Sequence, residues 1–185
     1  MQRGVAMSRR RRERGQALVE FTLVAPVLFL MLFAIIQLGL LFGAQNGFVN
    51  GVRDAARRAS TYRVNELTFV DAGLKADICT AITDELVRQL GGNQMPGFDP
   101  NGEPGDRLTL EKLSYVWGNY PAGGTTFLSV NIEATYDHPL YVPLISGFFD
   151  LTDGTADGSL TLRASEQMRI ENPPQLPPGS TEVIC

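Results

Sequence analysis

The dominant pattern along the chain is a gap in charge. From Phe21 to Phe42 no Asp, Glu, Lys or Arg occurs, and a bilayer core of about 30 Å needs about 20 helical residues to cross it. A transmembrane helix is predicted there. Two polar residues, Thr22 and Gln37, interrupt the run, and both are tolerable in lipid where neighbouring helices or local hydroxyls satisfy the polar groups. Pro26 has no backbone N–H to donate, so it would release the carbonyl of Thr22 and kink the helix.

Periodicity carries the helix beyond the membrane. Phe48, Val52, Ala55, Ala56 and Ala59 keep one apolar face, while Arg53, Asp54, Arg57 and Arg58 supply a wet one. Gly43, Gly47 and Gly51 recur at four-residue spacing. Such a stripe lets another helix approach closely, or it loosens the helix, since each glycine costs about 0.8 to 1 kcal/mol relative to Ala. Both readings stand at this point.

From about Thr61 the pattern is that of one modest globular domain. Asp71 can cap a helix reaching about Leu90, with Leu74, Ile78, Ile82, Leu86 and Leu90 on its core face and Gly91-Gly92 as its stop. Asn93 to Asp106, rich in Gly, Pro and Asp, reads as an irregular connector. Three extended segments follow. Leu128, Val130, Ile132, Ala134 and Tyr136 share one parity, and Leu160, Leu162, Ala164, Met168 and Ile170 repeat it with Glu166 as the exception. Between Arg107 and Trp117 the apolar parity shifts from Leu108 and Leu110 to Leu113, Tyr115 and Trp117, which predicts a bulge near Glu111-Lys112. The expected class is α+β: a long N-terminal transmembrane helix, then a domain with one helix packed on a small antiparallel sheet. The expected divisions are a basic leader over 1–15, a transmembrane and juxtamembrane helix over 16–60 and an extracytoplasmic domain over 61–185.

Charge sets the topology. Arg3, Arg9, Arg10, Arg11, Arg12 and Arg14 stand against Glu13 ahead of the apolar run, and such a flank stays on the cytoplasmic side. The formal net charge of -4 includes this leader, so the remainder is more acidic still. Its Lys and Arg residues are scattered without a basic stripe, and nucleic-acid binding is excluded on that ground. An ordinary signal peptide fits poorly, because its apolar region spans roughly 7 to 15 residues and ends in a small-x-small site. Here Phe42-Gly43-Ala44 puts a ring where a small residue is wanted. No cysteine follows the apolar run to make a lipoprotein. The two cysteines are Cys79 and Cys185. Both fall on the oxidising side, so a disulfide tying the Pro-rich tail Asn172 to Gly179 back to the domain is the leading reading. The alternative is a buried Cys79 with a free terminal thiol.

Candidate chemistry is sparse. His138, the single histidine, stands in Asp137-His138-Pro139 and reads as a turn residue. No Gly-x-Ser-x-Gly elbow, Cys-x-x-Cys pair or phosphate-binding glycine loop occurs. The acidic loops Asp99 to Asp106 and Asp150 to Gly158 carry oxygen ligands for calcium but lack EF-hand spacing, and ordinary solvated turns are preferred. No catalytic residue, cofactor or metal is assigned. Leu140 to Phe149, with Pro143 inside, is too apolar for a free loop and reads as cover for the sheet, or else as a docking patch for a neighbouring subunit or the membrane surface.

The most informative string joins leader to helix: Gly15, Gln16, Ala17, Leu18, Val19, Glu20, Phe21. A glycine, four residues, one carboxylate and then an unbroken apolar helix resemble type IV pilins and pseudopilins, and the string closely resembles the TadE-like proteins of tight-adherence (Flp-type) pilus systems. Val52 to Ala59 resembles that family's post-membrane helix, and the strand around Leu160 to Ile170 its C-terminal ending. The resemblance implies a pilin-like fold and cleavage by a prepilin peptidase between Gly15 and Gln16, which makes Glu20 the fifth residue of the mature chain. Many type IV pilins begin with a methylated Phe, whereas this mature chain would begin with Gln16, nearer the Flp branch. Glu20, with Phe21 beside it, is expected to set subunit register by pairing with a neighbour's terminal amine, because an unpaired buried charge costs several kcal/mol. The expected function is a non-catalytic minor pilin or pseudopilin acting in pilus biogenesis or adhesion. Its expected partners are the membrane, the peptidase, other pilin subunits and the assembly machinery. The expected location is the inner membrane, with possible incorporation into the pilus. The alternative is an uncleaved single-pass protein whose external domain binds a ligand or partner.

Overall fold

The computed structural model of the chain describes residues 5–64, 66–92, 95–99, 107–119, 126–142, 147, 158–170 and 181–185. Helix α1 runs unbroken over Val5–Ser60, 56 residues with Pro26 inside, a rod of about 84 Å at 1.5 Å per residue. A short helix α2 (Glu66–Val70) precedes α3 (Ala72–Gly92), and four strands follow: β1 (Leu108–Asn119), β2 (Thr126–Pro139), β3 (Ser159–Ile170) and β4 (Thr181–Val183). They form one antiparallel sheet in the order β3-β2-β1-β4. The fold is α+β.

Alternation dictates which sheet face is covered. Leu128, Val130, Ile132, Ala134 and Tyr136 of β2 are all buried, and β3 adds Leu162 and Ile170. The opposite face is polar, with Gln167 donating to Ser129 Oγ at 2.7 Å and Thr161 to Asp137 Oδ1 at 2.7 Å. The expected bulge is present: the β1–β2 register shifts between Leu110 and Lys112, which returns Leu113 and Tyr115 to the core.

The covered face receives the distal half of α1. Ala44, Phe48, Val52, Ala55, Ala56 and Ala59 are fully buried in the same cluster as the sheet and as Ile82, Leu86 and Leu90 of α3. The alanines keep that helix face thin. The glycine stripe settles as a close-approach surface: a Cβ on Gly51 would lie 2.7 Å from Leu90 Cδ2, one on Gly47 would lie 3.1 Å from Met95 Cγ, and one on Gly43 would lie 3.3 Å from Pro96 Cγ. The approaching elements belong to the chain itself.

Helix α3 begins as expected, with Asp71 Oδ1 accepting from the backbone N–H groups of Gly73 and Leu74 at 2.7 and 3.1 Å. Its core face is shorter than the periodicity suggests. Ile78, Ile82, Leu86 and Leu90 are buried, but Leu74 is 41 % exposed. Both Gly91 and Gly92 remain helical, and Met95 N–H donates to Leu90 O at 3.2 Å to close the end. Met95 to Phe98 then turn sharply, with Phe98 N–H donating to Met95 O at 3.1 Å and Gly97 at φ 81°. Pro before a positive-φ Gly is the type II turn arrangement.

The last strand closes the sheet. Ser114, Tyr115 and Val116 pair with residues 183, 182 and 181, Ile184 N–H donates to Leu113 O at 2.8 Å, and Cys185 is disulfide-bonded to Cys79 on α3 with the Cα atoms 6.2 Å apart. The Pro-rich stretch 172–179 lies outside the described residues.

Two consequences can be measured on the purified, detergent-solubilised chain. Gly51→Val should lower stability by about 1 to 3 kcal/mol through overpacking against Leu90, read as a drop in thermal midpoint. Cys185→Ser, or reduction of the wild type, should cost about 2 to 5 kcal/mol, because the bridge closes a long loop.

Candidate functional site

The leader junction lies inside α1. Residues 5–15 are helical and the helix continues through the Gly15–Gln16 bond without interruption. Gln16 Nε2 donates to Glu20 Oε1 at 3.0 Å, one helical turn away, and both residues are exposed, as is Phe21 at 65 %. Glu20 therefore stands at the start of the apolar run with its carboxylate facing outward. Thr22 meets its polar demand locally, its hydroxyl donating to Leu18 O at 2.7 Å.

Above the junction every large apolar side chain from Leu18 to Ile36 is exposed, and only 11 % of the most apolar 18-residue stretch is buried against the rest of the chain. A helix apolar all round and uncovered needs an apolar surrounding. Among the described residues α1 is the one helix long and apolar enough to cross a membrane. It suggests a chain anchored in a membrane by this helix.

Gln37 marks where the domain first grips this rod. It is fully buried, and its Oε1 accepts the backbone N–H groups of Tyr141 and Val142 at 3.1 and 3.2 Å. The sequence singled out Gln37 as a polar interruption, but its partners lie more than a hundred positions away. Around it the Pro-Gly turn sits against the glycine stripe, and Tyr136 Oη donates to Gly97 O at 2.8 Å. Higher up, Tyr115 Oη donates to Ala59 O at 3.2 Å, and Arg53 pairs with Glu166 at 2.9 Å. Glu166 thus breaks the apolar parity of β3 because it faces a helix cation.

His138 corrects its sequence reading. It is not a turn residue but the penultimate position of β2, fully buried beside Tyr136 and Tyr141. Among the described residues neither ring nitrogen has a hydrogen-bond partner. Burial, with the Arg107 charge nearby, holds its pKa below the ordinary imidazole value. Burial likewise pushes the Tyr115 and Tyr136 phenols up.

A second concave surface between the ends of α1 and α3 gathers Arg57, Arg58 and Arg88 with Asp54 and Glu85. Its charges largely answer one another: hydrogen bonds from Arg88 and Gln89 hold the Glu85 carboxyl low. Among the described residues no three His, Cys, Asp or Glu side chains cluster as metal ligands. The acidic loops 100–106 and 150–157 lie outside the described residues, as does most of Leu140 to Phe149.

A family model described as TadE-like protein matches residues 15–57. This segment of the chain is TadE-like. The match opens on Gly15 and ends in the last turn of α1, so it covers the uncovered rod and most of the part buried in the core. The sheet and α3 lie outside the match. No curated protein and no solved structure matches the chain.

The neutral, buried imidazole has a pH signature. Its folded pKa is depressed, so its contribution is complete above the unfolded value of about 6.5 and is lost as pH falls toward the folded value. The thermal midpoint of wild type should therefore drop between about pH 7.5 and 5.5, and His138→Phe should flatten that part of the profile.

Proposed function

We propose that the protein is a non-catalytic minor pilin or pseudopilin of a tight-adherence pilus system, anchored in the inner membrane with residues 1–15 cytoplasmic and the domain outside. The carrying observation is the rod itself, exposed and apolar on every side from Leu18 to Ile36 with one carboxylate at its lower lip. The TadE-like match beginning at Gly15 supports the same reading. A carboxylate at the edge of the run would also suit a plain anchor; joined to the basic leader, Gly15 and the unbroken apolar helix, it supports a helix that packs beside copies of itself.

In this proposal a prepilin peptidase cuts between Gly15 and Gln16. The arginine cluster holds the unprocessed chain at the cytoplasmic face, because carrying those charges into hydrocarbon costs several kcal/mol. After the cut, residues 16–60 form the mature helix and 61–185 the remainder of the external part. Glu20 then exchanges its bond from Gln16 Nε2 for the terminal amine of an adjacent subunit. A buried pair of this kind adds little net stability and penalises misaligned neighbours. Pilin subunits and the assembly machinery are the expected partners, and adhesion is an expected outcome of the assembled fibre.

Amino-terminal analysis of membrane-extracted protein should return Gln16 as first residue. Recovery of Met1 alone from cells making pili would favour the uncleaved single-pass reading instead. Glu20→Ala should be processed normally yet enter fibres at least about tenfold less often, since it leaves an amine unpaired in a low-dielectric bundle; quantitative blotting of sheared fibres against membranes checks this.

A further inference from the structure

The height at which the domain grips α1 is set by counting residues. From Glu20 to Gln37 is 17 residues, about 26 Å of helix at 1.5 Å per residue. A hydrocarbon core of about 30 Å that begins at Glu20 therefore ends a few residues beyond Gln37, and any tilt of the rod carries its far boundary further up the helix. Beginning the core at Gln16 instead places Gln37 close to the boundary. In either frame the backbone of Tyr141 and Val142, bonded to Gln37 Oε1, is held at the level of the membrane and not above it.

Three further observations agree. The apolar run continues to Phe42, which is 65 % exposed although the domain already half-covers Leu38, Leu40 and Leu41. The base of the domain and the last apolar turns thus share one height. Tyr141, exposed at 53 % beside this contact, is the amphipathic aromatic type that sits at headgroup level. Gln37 also has its carbonyl answered twice by the chain's own backbone, although its buried Nε2 has no partner among the described residues, and Tyr141 and Val142 in turn have their N–H groups satisfied without water, as backbone groups entering lipid require.

We propose that Leu140 to Val142, directly after β2 and clamped to α1 by Gln37, rest in the headgroup-to-acyl boundary of the outer leaflet of the same bilayer that α1 spans, with Tyr141 as the interfacial anchor. The phospholipid surface is the partner. The contact fixes how the domain stands on the membrane: β2 descends toward the lipid, and the far end of the sheet, where Trp117 pairs with Leu128, points away. The proposal rests on α1 crossing a bilayer and is independent of cleavage or fibre assembly.

The test uses the full chain, purified and reconstituted into phosphatidylcholine–phosphatidylglycerol vesicles at low protein-to-lipid ratio. In a Trp117→Phe background, Tyr141→Trp supplies one indole, read with acyl-brominated phospholipids. Its emission should shift to the blue and lose most of its intensity, while Trp117 of the unsubstituted chain, at the distal end of β1, should lose almost none. Adding Gln37→Leu should weaken the quenching of the Tyr141→Trp reporter. The wild type provides a second measurement without any substitution: a phospholipid carrying a photoreactive acyl chain should label the peptide containing Tyr141 and not that containing Trp117. An unquenched reporter together with no label on the Tyr141 peptide overturns the proposal. So does emission that shifts only as protein-to-lipid ratio rises without quenching, which would mean that a second copy of the chain covers this surface. A failure of processing or assembly leaves both readouts unchanged, so the two proposals fail separately.

Discussion

One helix serves two solvents, and the rest of the structure depends on that division. The proximal part of α1 offers large apolar side chains in every direction, whereas its distal part presents a strip of alanines, Phe48 and Val52 that is fully buried under the sheet and α3. Burying this strip removes the freedom that a flexible linker would leave between anchor and domain. The domain is built around the upper end of its own anchor, so its orientation follows from the rotation and height of a single rod.

Close packing needs thin residues at defined positions. Gly43, Gly47 and Gly51 let Pro96, Met95 and Leu90 approach the helix backbone, and the positive-φ Gly97 turns the chain directly beneath Tyr136 and His138. Polar contacts set register along the same contact line. Gln37 holds the bottom, Arg53 and Glu166 the middle, and Tyr115 with Ala59 O the top. The exposed ion pair contributes at most about 1 kcal/mol; its value lies in choosing which strand meets which turn of the helix. The disulfide and β4 then close the far edge of the sheet against α3.

The amino-terminal end of the uncovered rod is organised differently. Gln16 and Glu20 bond to each other within α1, and both are exposed among the described residues. Such a segment is available to other proteins and to lipid, which suits a part handled by processing and assembly factors. The junction and the domain thus sit at opposite ends of the uncovered part of α1.

Much of this was legible in the residues alone, because it is periodic or local. An uncharged run long enough to span lipid, a basic flank, strict alternation over Leu128 to Tyr136, the parity slip at Glu111-Lys112 and the Asp71 cap each leave a mark within a few positions of where they act. The junction string is equally local, which is why a family resemblance could rest on it. Tertiary structure decided the rest. The stripe of glycines was compatible with looseness or contact until α3 and its turn were placed against it; Glu166 broke a pattern for a reason that lies 113 positions away at Arg53; and Leu74 kept the helical period yet stayed exposed. His138 looked like a turn residue because it precedes a proline, but β2 extends through Pro139 at the β3-paired end of the sheet and carries the imidazole inside. Gln37 showed only as a polar blemish in the apolar run. Its partners are backbone N–H groups, which every residue but proline possesses, so no side-chain pattern could announce them.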